Sequence, residues 1–243
     1  SLINWQYCDR LAGFFEKMKI PINREYMLSV PDKLISPGFS NAVVILEALM
    51  AAEQGVKSIT LGYRGLGNVI QDTGAIGALK EQSKEYFHYF GYNDCCISTA
   101  FHEVTNVCGN NLEIIANAAC SATAAALAGA DILTLDSAAG TDAVSTILCR
   151  LKYQILPWSS ELETETAVIK LETKLIFDKV YESGKGDLVK GIINCFENGI
   201  MDVFSSKTKK DAKGAVRYLN FGNIPLNYQL KCYNKKKLKE NNI

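Results

Sequence analysis

The chain has 243 residues, 48% of them hydrophobic and 21% charged, which excludes a wholly disordered chain and supplies material for one sizeable core. Net charge is zero, but ten Lys or Arg face only Asp211 and Glu240 between Ser205 and Ile243, leaving sixteen basic and twenty-four acidic residues before them. The basic tail lacks the interleaved aromatics of a nucleic-acid groove and reads as a solvated terminal helix, so no nucleic-acid partner is expected.

From the start, the sequence opens at Ser1 in helical periodicity with no charged-then-apolar leader, and reads as a fragment or trimmed chain. Short β-rich runs then begin at Asn23, Ser58, Cys95 and Asp131, at intervals of 35, 37 and 36 residues, a spacing that suits β/α units. Between the first two, Ala42, Val43, Leu46, Leu49 and Met50 form a helical face with Ser40 or Asn41 as cap and Gly55 as terminator. Between the next two, Ile76, Leu79, Tyr86, Phe87 and Phe90 share the face of a helix that starts near Asn68 and stops at Gly91. The apolar run Ile114–Ala130 is short for a membrane span and rich in alanine, so it reads as a closely packed helix of a soluble, cytoplasmic protein.

Strands separated by helices are parallel, and runs read as continuously apolar imply helices on the outer face. The fold class is α/β: a partial (β/α) TIM-type barrel of about four units, followed by C-terminal helices. The expected domains are a half barrel over residues 1–157, a helical extension over 158–204, and a basic linker and tail over 205–243. In the extension, Glu161–Gly184 is an amphipathic helix with Val168, Leu171 and Leu175 on one side, and a second helix runs from Asp187 to about Asn198. Four strands are half of what a barrel needs, leaving an uncovered inner apolar face and edge strands that call for dimerisation or a partner. The eight cysteines show no C-x-x-C spacing and read as reduced, buried thiols.

Ligands of parallel β/α folds bind beyond the carboxyl ends of the strands. There, Arg24 suits either a carboxylate clamp or a structural ion pair, with Glu25 beside it. The loop Gly62-Tyr63-Arg64-Gly65-Leu66-Gly67-Asn68 opens a helix and suits either an anion or a tight turn. After the third run comes Phe101-His102-Glu103. His102 is one of two histidines, so no metal is expected without a second ligand. These residues alone read as a small-anion-binding β/α domain with Arg24, Tyr63, Arg64 and His102 at its mouth.

The strings SLINWQYCDRLAGF, INRE, SNAVVILEALMAAEQGVKSIT, GNVIQD, FGYND, ALAGA, ELETETAVIKLETK, KGDL and VRYLNFGN occur in that order along nearly the whole chain. They resemble successive blocks of the large (epsilon) subunit of glutamate mutase, or methylaspartate mutase, in its C-terminal half. The resemblance implies an isomerase that interconverts L-glutamate and 3-methylaspartate by a radical carbon-skeleton rearrangement in anaerobic glutamate catabolism. It implies adenosylcobalamin, delivered by a cobalamin-binding small subunit, because the D-x-H-x-x-G pattern is absent here: Tyr86 precedes His88 and Ala100 precedes His102. By their position at the barrel mouth, Tyr63, Asn68 and His102 are the expected cofactor contacts and Arg24 and Arg64 the expected substrate contacts.

No catalytic residue is assigned to this half, because the family's arginine clamp lies in the other half of the barrel. Where the family carries a lysine and a glutamate this chain has Asp136 and Gly140, and the family's aromatic falls near Val107 or Cys108. Activity therefore requires an N-terminal half-barrel chain or a homodimer, and the alternative is a degenerate fragment that serves as a binding or assembly module.

Overall fold

The computed structural model describes residues 2–28, 35–103, 111–135, 160–198 and 200–201. Asp136, Gly140, Val107, Cys108, residues 143–157 and the basic tail lie outside the described residues. The elements run α1 (Leu2–Lys17), β1 (Arg24–Met27), α2 (Pro37–Glu53), β2 (Ser58–Arg64), α3 (Val69–Tyr89), β3 (Cys96–His102), α4 (Asn111–Ala128), β4 (Ile132–Thr134), α5 (Ser160–Gly184) and α6 (Leu188–Glu197). All four expected strands form, in one parallel sheet of order β1-β2-β3-β4.

Residues alternate across this sheet. Tyr26, Ile59, Leu61, Tyr63 and Phe101 are buried in the helix-side core with α2 and α3. The opposite face carries Glu25, Ser58, Thr60, Gly62, Ser98, Ala100 and His102, and Thr60 Oγ1 bonds both Asn23 Oδ1 at 2.9 Å and Ser98 Oγ at 2.8 Å. The expected inner apolar face is therefore polar. The runs that looked continuously apolar alternate with period two, and the inward residues are mostly small, hydroxylic or charged, with Met27 and Ile132 as apolar exceptions.

Helix α2 begins at Ser36, whose hydroxyl accepts from Phe39 N at 3.2 Å, with Pro37 in the first turn. Ser40 and Asn41 are thus not its cap. Asn41 lies inside the helix and donates to Ala75 O of α3 at 2.9 Å. Thirteen of the seventeen α2 residues are buried, because the sheet covers one side and α5 the other. Asn68 caps α3 as expected, and Gly55 (φ 94°) and Gly91 (φ 81°) end the two helices in the left-handed region.

Helix α5 packs on α2 and α3 through a stripe different from the one read in the sequence. Leu162, Glu165, Thr166, Ile169, Glu172, Thr173 and Phe177 are buried, whereas Val168, Leu171 and Leu175 are half-buried. The stripe is partly polar because it docks onto helix starts: Glu172 bonds the α2 cap Ser36, and Gln71 of α3 donates to Glu165 at 3.0 Å. Burial raises the Glu172 carboxyl to about 7, against its hydrogen bonds to Ser36 and the Gly38 backbone. The described cysteines are all reduced, but only Cys195 is buried; Cys8, Cys96 and Cys120 are exposed, contrary to expectation. No described helix is long and apolar enough to cross a membrane.

Candidate functional site

The strand ends carry the candidate residues, and strand parity decides which of them meet. Arg24 and Tyr63 project to the helix side. The Arg24 guanidinium lies 3.0 Å from Asp9 of α1 and 5.7 Å from the Tyr26 ring centre, and Tyr26 Oη donates to the same carboxylate at 2.6 Å. Of the two readings open to Arg24, the structural ion pair is the one present.

Tyr63 is 1% exposed and donates to Asp72 at 3.0 Å. Burial, followed by the Asp72 charge, holds its phenol well above the ordinary range. Asp72 also accepts from Leu66 N at 2.9 Å and Gly67 N at 3.0 Å, so the amides of the glycine-bearing loop are held by the protein's own carboxylate. Burial raises the Asp72 carboxyl to about 6 even against these bonds. This loop is a tight turn braced from within. Asn68 is exposed and accepts from Gln71 N at 3.2 Å, which is the work of a helix cap.

Arg64 and His102 are register partners on β2 and β3, on the polar side of the sheet. His102 Nε2 lies 2.5 Å from Glu25 Oε1 of β1, so this contact spans three strands. It passes over Gly62, where an added Cβ would sit 3.1 Å from Glu25 Oε1 and 3.3 Å from His102 Nε2. Beside it Glu103, 3% exposed, accepts from Asn117 of α4 at 3.1 Å, and its amide bonds Thr134 O at 2.9 Å. The sequence reading put Gly62 in the loop after the strand, whereas Gly62–Arg64 belong to β2, and it assigned no role to Asp72 or the Glu25–His102 contact. A glycine in the middle of a β-rich run was the available signal for a close approach. No group of three or more potential metal ligands occurs among the described residues.

A four-stranded parallel sheet with helices packed on one face and a largely polar opposite face defines a mixed β/α protein. Residues 1–242 match the family described as methylaspartate mutase E chain, and the chain belongs to that family. It is similar to the glutamate mutase epsilon subunits of Treponema denticola (38% identical, 99% of this chain and 54% of the relative), Desulfitobacterium hafniense (33%, 98% and 54%) and Yersinia enterocolitica (36%, 93% and 52%). The chain therefore spans about half the length of the curated relatives it matches.

Proposed function

We propose that this chain acts as the C-terminal part of a glutamate mutase large subunit, taking part in the radical isomerisation of L-glutamate and 3-methylaspartate in the cytoplasm. In this reading residues 1–157 are half of a (β/α) barrel, 158–204 a helical extension and 205–243 a basic tail. The observation that carries it is the family match over residues 1–242. The polar inner face agrees with it, since Thr60, Gly62, Ser98 and Ala100 are too small to fill a barrel lumen and leave room for a ligand.

The residues present fit the polar periphery of adenosylcobalamin rather than its cobalt. Asn68 would hold it from this chain, and Tyr63 would act at one remove by bracing the loop through Asp72, while His102 stands at the register position of Arg64 on the substrate side. When bound, that group supplies the hydrogen-abstracting radical chemistry. Neither His88 nor His102 stands in a D-x-H-x-x-G pattern, which supports delivery of the cofactor by a small subunit. Arg64 is the substrate-facing cation in this reading, whereas Arg24 is committed to Asp9.

The outer edge of β1 pairs with no described strand, and α1 exposes Tyr7, Leu11 and Phe14, followed by Met18 in the turn after it. Such an edge and stripe suit a further β/α unit, from a companion half-barrel chain or a second copy.

The test combines this chain with the complementary part of a relative's large subunit, the small subunit, adenosylcobalamin and L-glutamate. Formation of 3-methylaspartate, followed by NMR, is the expected outcome. Components that fold and associate yet give no product overturn the proposal.

A further inference from the structure

We propose that Glu25 is a positioning residue for His102 in a small-carboxylate site at the strand ends, with Gly62 clearing the path between them and Arg64 as the second cationic member. The inference rests on the reading of these strand ends as the ligand face of the fold.

Strands β1 and β3 are not neighbours, because β2 separates them, and two strand spacings amount to about 10 Å. A side chain on the residue between them crowds a carboxylate and an imidazole that meet across that gap. At Gly62 a Cβ would lie 3.1 Å from Glu25 Oε1, 3.3 Å from His102 Nε2 and 2.9 Å from Met27 Cβ. Stability does not account for this arrangement. Glycine weakens a strand interior, and an ion pair whose carboxylate is 42% exposed returns little. The His102 side chain is 13% exposed, so the imidazole is oriented by Glu25 yet still reachable.

With Nε2 engaged by Glu25, Nδ1 is the nitrogen left to a ligand, and it has no protein hydrogen bond among the described residues. A protonated Nδ1 donates to a carboxylate, and Arg64 stands at the paired register position one strand away. Among the described residues, the charged groups at these strand ends are Glu25 on β1, Arg64 on β2 and Glu103 at the end of β3. Glu103 is buried and bonded to Asn117. The neighbouring loop amides, which would otherwise favour a phosphate, are filled by Asp72, so the ligand taken here is a carboxylate read by side chains.

The test is NMR of the intact chain with 15N-labelled histidine, with His88 on its Asn93 partner as internal reference. Titration with L-glutamate and with succinate is expected to move the His102 Nδ1 signal and leave His88 in place, whereas succinamide moves neither. Glu25→Gln is expected to weaken binding about tenfold and to change the tautomer of His102. Gly62→Ala is expected to do the same, and Glu25→Gln carries the test should that variant fold poorly. His102 signals that ignore both dicarboxylates, or binding that is equal in wild type and Glu25→Gln, overturn the proposal.

The two readings fail separately. An assembled mutase whose Glu25→Gln form keeps kcat/KM and its pH profile overturns this inference and leaves the proposed function standing. Carboxylate binding at His102 without product in the assembled system supports the site and overturns the mutase reading.

Discussion

The two faces of the four-stranded sheet are built from the same strands and held by different physics. On the helix side Tyr26, Ile59, Leu61, Tyr63 and Phe101 are all at most 1% exposed, and Tyr63 and Phe101 pack with ring centres 6.1 Å apart. On the other side Asn23, Thr60 and Ser98 form a hydrogen-bonded row, and Glu25 reaches His102 over a glycine. Apolar burial is the larger stabilising term for a residue of ordinary size, and a solvent-competed hydrogen bond the smaller. The helix face therefore carries the stability, which leaves the polar face at liberty to carry recognition.

The largest expected effect tests the first half of that contrast. Phe101→Ala removes a fully buried ring from the helix-side core and should cost about 3–5 kcal/mol, read from urea unfolding. A loss below about 1 kcal/mol would mean that the helix face is not the stabilising one.

Asp72 stands where the helix face meets the strand-end loop, so its removal probes the boundary between the two. Asp72→Ala leaves the buried Tyr63 hydroxyl without its acceptor, while the amides of Leu66 and exposed Gly67 can return to water. The expected loss is about 1–3 kcal/mol. Sulfate should partly restore the melting temperature of the variant by occupying the vacated amides, and should act far less on the wild type. Equal effects of sulfate on both would contradict the braced-loop reading.

A third prediction concerns the polar contacts inside the helix layer, where Glu172 is buried against Ser36. Its folded pKa of about 7 lies above the ordinary 4.5, so between those values the folded state holds more protons than the unfolded chain. Its contribution is therefore fully present below about pH 4.5 and is lost as pH rises through about 7. Glu47, also raised to about 7 by burial and by the Asp9 charge, and Asp72 act in the same direction. Glu172→Gln should flatten the decline between pH 5 and 8 and gain on the order of 1 kcal/mol over the wild type at pH 8. Identical pH slopes in urea unfolding would show that Glu172 is not the group responsible.

These contrasts also explain what could be read from the chain beforehand. The four strands were legible because β-rich runs recur at nearly constant spacing, and Asn68, Gly55 and Gly91 because capping and helix termination are local chemistry. Arg24 and Tyr63 were grouped with Arg64 and His102 although simple alternation separates them. Arg24 shares a face with Tyr26, and Tyr63 with Leu61 and Ile59, so reading the runs as continuously apolar concealed the parity. The Ser36 cap was missed for a helical start four residues later, although Pro37 directly after a serine is itself a start signal. The Glu25–His102 contact had no local signal beyond Gly62, because it depends on the lateral order of three strands. The strings that carry the family resemblance turn out to hold docking residues. GNVIQD supplies Asn68, Gln71 and Asp72, and ELETETAVIKLETK supplies Glu165 and Glu172.

The smallest effect sharpens the comparison from the polar side. Ser98→Ala removes the 2.8 Å contact with Thr60 Oγ1, but Thr60 keeps its bond to Asn23 Oδ1 and no cavity of consequence is left. The expected cost is about 1 kcal/mol or less in urea unfolding. A loss approaching that of Phe101→Ala would show that the polar row is a structural core in its own right, and the division of labour between the two faces would have to be abandoned.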